Sequence, residues 1–159
     1  MIKIAELSPE HLPFRVSLLN DESVREYLNV DEVFTVEGTT SWFINKSKTT
    51  RFDCVFMNGD TPVGMGGLTN ISNGKAELYM YLDPKEQGKG YGYQSLSELC
   101  DYGFTSLGLS QIYLYTFSDN IRANRLYEKG GFVRDKEYHQ VKEHNGQLLG
   151  RYLFTLNKK

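Results

Sequence analysis

The sequence predicts one α/β domain (an α+β sandwich) in which a mixed, mostly antiparallel central sheet carries helices on both of its faces. Three observations support this fold class. Asn-Gly turns divide strand-like runs in the middle of the chain, an amphipathic helical pattern follows them, and a strand, a helix and a hairpin complete the order. A length of 159 residues is typical of a single domain, which we assign to residues 1–159.

The N-terminal third of the chain combines one strand with helices. The stretch IKIAEL alternates between apolar and polar residues, which predicts a first strand. Ser8-Pro9-Glu10 is typical of a helix start, because proline is tolerated at the first helical position. We expect helix from Pro9 to about Leu28 with a break near Asn20-Asp21, and a second helix from Val36 to Lys46.

Three strand-like runs follow. They are RFDCVFMNGD, PVGMGGLTNIS and GKAELYMYLDP, and they are separated by Asn58-Gly59-Asp60 and Asn73-Gly74. An Asn-Gly pair between two such runs is a strong signal for a tight hairpin, because both turn residues adopt positive φ. We therefore expect an antiparallel meander.

The second half of the chain contains a helix, a strand, a short helix and a hairpin. Apolar or small residues recur on one face of the first helix, at Leu96, Leu99, Cys100, Gly103, Phe104 and Leu107. QIYLYTF has apolar residues at both alternating sets of positions, which predicts a strand covered on both faces. Gly130-Gly131 ends the helix IRANRLYEKGGF, and Asn145-Gly146 is the expected turn of the final hairpin.

Composition and charge argue against several classes of partner. The net charge of −2 gives no indication of nucleic acid or an anionic membrane. No apolar run approaches the ~20 residues that a bilayer span needs. Cys54 and Cys100 lack the spacing of a metal or redox site and are expected to be free, buried thiols. We expect a cytoplasmic protein without a metal, a nucleic acid partner or a membrane anchor.

The stretch QGKGYG, residues 87–92, concentrates glycine between a predicted strand and a predicted helix. Such a loop can hold phosphate, because its N–H groups and the helix N-terminus attract anions. It is neither a P-loop, which needs GxxxxGK[ST], nor a dinucleotide fingerprint, because Tyr93 stands where the third glycine belongs. On this stretch alone, a plain turn and an anion cradle both remain open.

A second motif lies about thirty residues further along. Asn120, Ala123, Asn124 and Tyr127 share one face of a predicted helix at i, i+3, i+4 and i+7. An elongated ligand can lie along this polar and aromatic face, close to the small residue. The alternative is that Asn120 only caps the helix and Tyr127 only packs in the core.

Together the two motifs resemble the GNAT superfamily of N-acetyltransferases. The resemblance rests on QGKGYG after YLDP, followed by NIRANRLYEKGGF, and is firm over about Pro62 to Phe132. The pair NDESVREYL and ELYMYLDP is similar to the branch that contains ribosomal-protein alanine, spermidine and amino-sugar acetyltransferases.

The resemblance implies that acetyl-CoA is the cosubstrate. By similarity the backbone of the loop holds the pyrophosphate, the end of the preceding strand pairs with the pantetheine arm, and the asparagines of the second motif contact the cofactor. These implied cofactor-binding residues are Met80, Tyr81, Leu82, Gln87, Gly88, Lys89, Gly90, Tyr91, Gly92, Tyr93, Asn120 and Asn124. Lys89 either adds a charge-assisted contact to phosphate or is a solvated lysine.

The resemblance also implies the catalytic chemistry. A neutral amine attacks the acetyl carbonyl directly, and Tyr127 faces the thioester sulfur as the general acid for the departing thiolate. Glu77 shares a strand face with Tyr79 and Tyr81 and is either the base or a solvent-facing strand residue. Some family members carry a glutamate where this chain has Tyr115, so that version of the base is absent.

The acceptor is the least specified part. An acidic group follows the first helix and can attract a cationic amine; its members are Asp21, Glu22, Glu26, Asp31 and Glu32. Trp42 and Tyr79 either stack on a cation or sugar or pack in the core. We expect a polyamine or amino sugar ahead of a protein N-terminus, and a homodimer is possible. A non-catalytic module that binds acyl-CoA and regulates a partner is the alternative function.

Overall fold

The computed structural model of the chain describes residues 1–26, 28, 32–144 and 147–159. Within them seven strands form one sheet in the order β1-β2-β3-β4-β5-β7-β6. The strands are β1 (Ile2–Glu6), β2 (Phe52–Asn58), β3 (Thr61–Ser72), β4 (Lys75–Leu82), β5 (Gln111–Phe117), β6 (Val133–His144) and β7 (Gln147–Asn157). All neighbours pair antiparallel except β4 and β5, which run parallel, so the predicted mixed and mostly antiparallel sheet is confirmed.

Helices cover both faces of the sheet, as predicted. They are α1 (Leu12–Asn20), α2 (Glu22–Arg25), α3 (Val36–Asn45), α4 (Tyr91–Thr105) and α5 (Ile121–Lys129). Successive residues of β2 pack in different cores, because side chains alternate along a strand. Phe56 packs in the cluster that contains Leu96 of α4, and Val55 packs in the cluster that contains Leu12 of α1. No helix in the described part of the chain is long and apolar enough to cross a membrane.

The turns of the meander form where the Asn-Gly pairs predict them. Gly59, Asn73 and Gly74 have φ values of +62°, +53° and +76°, and this left-handed conformation lets two-residue turns match the twist of the strands. The turn predicted at Asn145-Gly146 lies outside the described residues, as does Asp31 of the acidic group.

Two predictions about individual elements were wrong. The helix expected to reach Leu28 ends earlier, because α2 stops at Arg25. β5 is covered on one face only: Ile112 and Leu114 are buried, whereas Tyr115 is 39% exposed. The physical reason is that α4 packs against β5 from one side, so the tyrosine face of the strand stays open.

The parallel pair opens the sheet. β4 and β5 pair only where Lys75, Ala76 and Glu77 lie opposite Gln111, Ile112 and Tyr113. Beyond these three positions the strands are no longer paired, although β3 continues to pair with β4 as far as Leu82. A wedge therefore opens in the middle of the sheet at the C-terminal ends of two parallel strands.

Candidate active site

The wedge between β4 and β5 is a cleft of about 740 Å³. This volume lies within the ~300–1,000 Å³ of typical small-molecule sites. Its walls come from the two strands, from α2 and from α5, and include Ser23, Glu26, Glu77, Met80, Leu82, Gln87, Tyr115, Asp119, Asn120, Arg122, Tyr127 and Arg151. The cleft thus brings Gln87 of the glycine loop and Glu26 of the acidic group together with the second motif, although they lie far apart in the sequence. Residues 88–93 and the other described members of the acidic group lie outside the cleft lining.

The backbone of β4 faces the cleft at alternate residues. Asp83 N–H donates to the carbonyl of Val63 on β3, at a distance of 2.8 Å. By strand alternation Tyr81 also directs its backbone groups toward β3, whereas Met80 and Leu82 direct theirs toward the unpaired side. Met80 and Leu82 therefore present free N–H and C=O groups to the cleft, and Tyr81 contributes its side chain rather than its backbone.

The glycine loop places backbone N–H groups at the start of α4. Gly88 and Gly90 both have a φ of +81°, and no atom lies within 4 Å of where a Cβ would stand at either position. Gly90 is the N-cap of α4 and has no side chain to cap it, so the first-turn amides of Tyr91, Gly92 and Tyr93 are left without a side-chain acceptor. Free amides at the positive end of a 15-residue helix favour an anion.

Two side chains of the loop have charged partners. The Gln87 Oε1 atom accepts a hydrogen bond from Arg122 of α5. Lys89 donates to Glu86 at 2.9 Å, and this hydrogen bond raises the pKa of the lysine. Sequence reasoning missed Arg122, because 35 residues separate it from Gln87 and no local pattern relates the two.

The aromatic residues of the loop pack against the protein. The Tyr91 hydroxyl accepts a hydrogen bond from Asn58 at 3.0 Å, and the Lys129 ammonium lies 4.8 Å from the centre of the Tyr93 ring. A Cβ at Gly92 would lie 3.3 Å from Leu82. At these positions the side chains have neighbours of their own, although Tyr93 is 40% exposed, and the backbone N–H groups at the start of α4 are what remains for a ligand.

The two asparagines of the second motif have different surroundings. Asn120 is the N-cap of α5, accepts from the Ala123 N–H at 3.4 Å, and lines the cleft. Asn124 is buried, with its amide oxygen bound to the Thr116 hydroxyl at 2.6 Å and its amide nitrogen donating to the Ser118 carbonyl at 3.3 Å. Asn124 therefore holds β5 to α5, and its position is that of a supporting residue.

Tyr127 is buried at the wall of the cleft. Its ring lies 5.8 Å from that of Phe132 and 6.2 Å from that of Phe154, which fixes its orientation. Among the described residues its hydroxyl has no hydrogen-bond partner. Burial, and then the proximity of Tyr81, raise the pKa of Tyr127 well above its ordinary value, so the phenol is protonated at neutral pH.

Glu77 lies at the last paired position of β4 and also lines the cleft. Its carboxylate accepts from the Asn70 amide at 3.2 Å, and Asn70 has a φ of +52° at an irregularity in β3. Burial raises the pKa values of Tyr81 and Tyr113, and the Glu77 charge adds to both shifts. Glu77 is thus a partly buried carboxylate beside neutral phenols, where a cationic group would be attracted.

A buried charged network lies behind the cleft and was not foreseen from the sequence. Asp53 receives two hydrogen bonds from Arg51, at 2.8 and 2.9 Å, and one from the Tyr79 hydroxyl at 2.5 Å. Burial opposes ionisation, yet these bonds together lower the pKa of Asp53 below 3.8. The Tyr79 hydroxyl accepts from Arg15 at 2.9 Å, and Trp42 stacks on Arg15 at 4.3 Å. Of the two roles considered for Tyr79 and Trp42, stacking on a ligand or packing inside the protein, these contacts support packing inside the protein.

Comparison with known proteins agrees with the resemblance found in the sequence. Residues 2–133 match the family model of an acetyltransferase (GNAT) domain. Spermidine N(1)-acetyltransferase of Escherichia coli (strain K12) is 30% identical over 151 residues, which cover 92% of this chain and 80% of that protein. The N-acetyltransferase p20 of Bacillus licheniformis is 29% identical over 153 residues, which cover 88% of this chain and 83% of that protein.

Among solved structures, spermidine N-acetyltransferase from Vibrio cholerae, in complex with CoA and spermine, has the same fold. It superimposes with a TM-score of 0.92 at 22% identity, over 98% of this chain and 95% of that one. The family match extends over most of the chain, and the resemblance found in the sequence is confirmed. The chain therefore belongs to the GNAT family of N-acetyltransferases.

Proposed function

We propose that the protein transfers the acetyl group of acetyl-CoA to a primary amine of a polyamine, by direct attack while both substrates are bound. The observation that carries the proposal is the wedge between β4 and β5. It connects Gln87 of the glycine loop with Tyr127 and Glu77 in one continuous cleft. The spermidine acetyltransferases among the relatives support a polyamine as the acceptor.

The cleft fits acetyl-CoA in its backbone chemistry. A diphosphate needs several N–H donors and room for close approach, which the positive-φ glycines Gly88 and Gly90 and the first turn of α4 supply. The amides of a pantetheine arm need strand-like donors and acceptors, which the unpaired edge of β4 supplies at Met80 and Leu82. Asn120, at the start of α5, adds a polar contact on the opposite wall.

In the transfer step, groups of this chain stabilise the charge on the carbonyl oxygen and donate a proton to the leaving thiolate. The amine nitrogen forms a bond to the acetyl carbon, and the carbon–sulfur bond breaks to give the amide and a thiolate. The Leu82 N–H is placed to donate to the carbonyl oxygen as it gains negative charge. Tyr127 gives its phenolic proton to the departing thiolate, and the second proton that the nitrogen loses on becoming an amide restores the phenol.

Acceptor binding uses the acidic wall of the cleft. Glu77, Glu26 and Asp119 all line it and attract a polycation, whereas the cations Arg122 and Arg151 line other parts of the cleft. Glu77 lies nearest the paired end of β4 and takes the proton that the attacking ammonium must lose. The exposed ring of Tyr115, with Arg151 stacked over it at 4.1 Å, forms the far wall.

The experiment is a thiol-release assay with acetyl-CoA and a panel of amines: spermidine, spermine, putrescine, glucosamine and a peptide with a free N-terminus. We expect turnover to be fastest with the polyamines. Tyr127→Phe should lower kcat by about 10²-fold or more, the usual contribution of a general acid, with little change in KM for the amine. Glu77→Gln should lower kcat/KM for the amine most strongly at low pH, where the amine is fully protonated.

The matched control is Tyr102→Phe, because Tyr102 stacks on Phe52 at 4.3 Å and lies outside the cleft lining. It should retain the kinetics of the unmodified protein. If no polyamine releases thiol while another amine does, the acceptor assignment is wrong. If Tyr127→Phe and Tyr102→Phe behave alike, the role of Tyr127 is wrong. Tight CoA binding with no turnover on any amine would favour the non-catalytic alternative.

A further inference from the structure

A second cavity lies between α1 and α3, apart from the cofactor cleft. Its volume is about 310 Å³, which at ~30 Å³ for each water-sized group gives room for a ligand of about ten non-hydrogen atoms. One wall is formed by α1 and one by α3, and the segment 32–35 covers the top. The lining residues are Arg15, Leu19, Glu32, Val33, Phe34, Thr35, Gly38, Thr39 and Trp42.

The walls of this cavity are held in place by hydrogen bonds. Asn20, at the end of α1, donates to the Phe34 carbonyl at 2.8 Å and accepts from the Phe34 N–H at 2.9 Å. The Thr35 hydroxyl caps α3 by accepting from the Gly38 N–H at 3.0 Å. These bonds hold the Phe34–Thr35 end of the covering segment to α1 and to the start of α3.

Arg15 lies at the floor of the cavity and is only 8% exposed. One nitrogen of its guanidinium donates to the Tyr79 hydroxyl at 2.9 Å and contacts the Met65 sulfur at 3.6 Å. No carboxylate of the described residues lies within salt-bridge distance of it. A guanidinium carries five N–H donors, and the described residues provide hydrogen-bond acceptors for only one of its nitrogens.

Among the described residues, the positive charges around Arg15 outnumber the negative ones. Asp53 is a buried carboxylate of this region, and it already pairs with Arg51 at 2.8 Å and Lys46 at 3.3 Å. With Arg15 and with Glu32, which lines the cavity, this gives three positive and two negative charges. Burial of a charge without a counter-charge is costly, and stacking on Trp42 compensates only part of that cost.

The remaining lining selects among anions. Leu19, Val33, Phe34 and Trp42 provide apolar surface, and the Thr39 hydroxyl has no hydrogen-bond partner among the residues that the structure describes. Glu32 at the rim is negatively charged and would repel a ligand that carries several negative charges. Inorganic phosphate and dicarboxylates are disfavoured for this reason.

We infer that the cavity between α1 and α3 binds a small organic monocarboxylate with an apolar body, whose carboxylate pairs with Arg15 and accepts from the Thr39 hydroxyl. The apolar body packs between Leu19, Phe34 and Trp42. This site is independent of the cofactor cleft. It communicates with that cleft through the Arg15–Tyr79 hydrogen bond, because the Tyr79 residue also lines the cleft.

The test is calorimetric titration of the full chain, saturated with CoA, with three probes of one shape: 3-phenylpropanoate, 3-phenylpropan-1-ol and 3-phenylpropylamine. Saturating CoA keeps the probes out of the cofactor half of the cleft, whereas the amine can still occupy its acidic wall. We therefore expect only the carboxylate to show binding that a change in the second cavity weakens. Thr39→Met fills the cavity without removing a charge and should weaken carboxylate binding at least tenfold while acetyl-CoA affinity stays unchanged.

A second variant removes the charge itself. Arg15→Met should abolish carboxylate binding; circular dichroism reports whether it folds, and if it does not fold, Thr39→Met carries the test. The inference is overturned if the carboxylate does not bind to the unmodified chain, if Thr39→Met weakens binding of the amine as much as that of the carboxylate, or if Thr39→Met leaves carboxylate binding unchanged. Each of these outcomes would mean that groups of the protein itself, among them Trp42 and the Tyr79–Asp53 pair, compensate the Arg15 charge.

Discussion

The two sides of β4 are built from different groups: backbone N–H groups on one side, and charged and hydroxyl side chains on the other. On one side, the loop from Gln87 to Tyr93 and the start of α4 form a surface of backbone N–H groups, with side chains turned away or paired at the periphery. On the other side, the network of Arg15, Asp53 and Tyr79 consists entirely of side chains from separate elements. The loop depends on backbone conformation and tolerates changes of side chain, whereas the network depends on each charge.

The largest effect is expected in the network. Asp53→Asn keeps the shape but removes the carboxylate that pairs with Arg51 and Lys46. Loss of one partner of a buried ion pair leaves uncompensated charge, so the free energy of unfolding should fall by about 3–5 kcal/mol. Urea unfolding measures it. Asp60→Asn, in the exposed turn after β2, is the matched control and should change stability by less than about 0.5 kcal/mol.

The same residue gives a pH dependence. Because the pKa of Asp53 is lower in the folded than in the unfolded state, acid favours the unfolded form. The stabilisation is complete above the unfolded pKa of about 3.8 and is lost as pH falls through the lower, folded pKa. Unfolding curves recorded at decreasing pH should therefore show a shallower decline for Asp53→Asn. Equal slopes for the two proteins would contradict the assignment.

The next largest effect is expected from a backbone change on the other side of β4, and it concerns affinity for acetyl-CoA. Gly90→Ala puts a side chain at a φ of +81°, which costs about 1–2 kcal/mol and displaces the first-turn amides of α4. Affinity for acetyl-CoA should fall about tenfold, measured by calorimetry, since ~1.4 kcal/mol corresponds to a factor of ten. Gly59→Ala is the matched control, with a φ of +62° and equally open surroundings in a distant turn.

The Gly59→Ala variant should lose a comparable amount of stability and keep its acetyl-CoA affinity. If both variants bind acetyl-CoA like the unmodified protein, the backbone of the loop is not the anion site. If both lose affinity, the effect comes from general destabilisation.

A smaller effect is expected where a side chain supports the loop from outside. Arg122→Ala removes the donor to Gln87 and a positive charge at the cleft. KM for acetyl-CoA should rise roughly threefold to tenfold, the range of one net hydrogen bond, and the difference should shrink at high salt. Arg125→Ala, on the same helix but outside the cleft lining, should leave KM unchanged. Equal effects of the two substitutions would indicate only bulk electrostatics.

The smallest effect is expected at Lys89, which is exposed and paired with Glu86. Lys89→Ala should change KM for acetyl-CoA by no more than about twofold, because exposed ion pairs contribute little. Steady-state kinetics at low ionic strength measure this change in KM. If KM for acetyl-CoA rises as much as in Arg122→Ala, Lys89 leaves Glu86 to contact phosphate, and the loop depends on side chains as well as on its backbone.

The sequence was informative where function depends on contiguous residues. The glycine loop, the caps of α5 and the Gly130-Gly131 stop act within a few residues, so their types and spacing identify them. Gln87 and Arg122, or Arg15 and Tyr79, meet only because the sheet brings their elements together. An arginine inside a helix and an aspartate inside a strand give no local sign of a shared network.

Element order and the family were determined by the sequence itself, and the proposal of an anion cradle at the glycine loop also came from it, because periodicity, turn residues and left-handed glycines are local properties of the chain. Tertiary structure alone decided that β4 and β5 separate after Glu77, that Asn124 supports β5 from within, and that Arg15 lies buried without a carboxylate partner among the described residues. These features depend on which surfaces pack and how many charges they enclose, and packing joins residues that are distant along the chain.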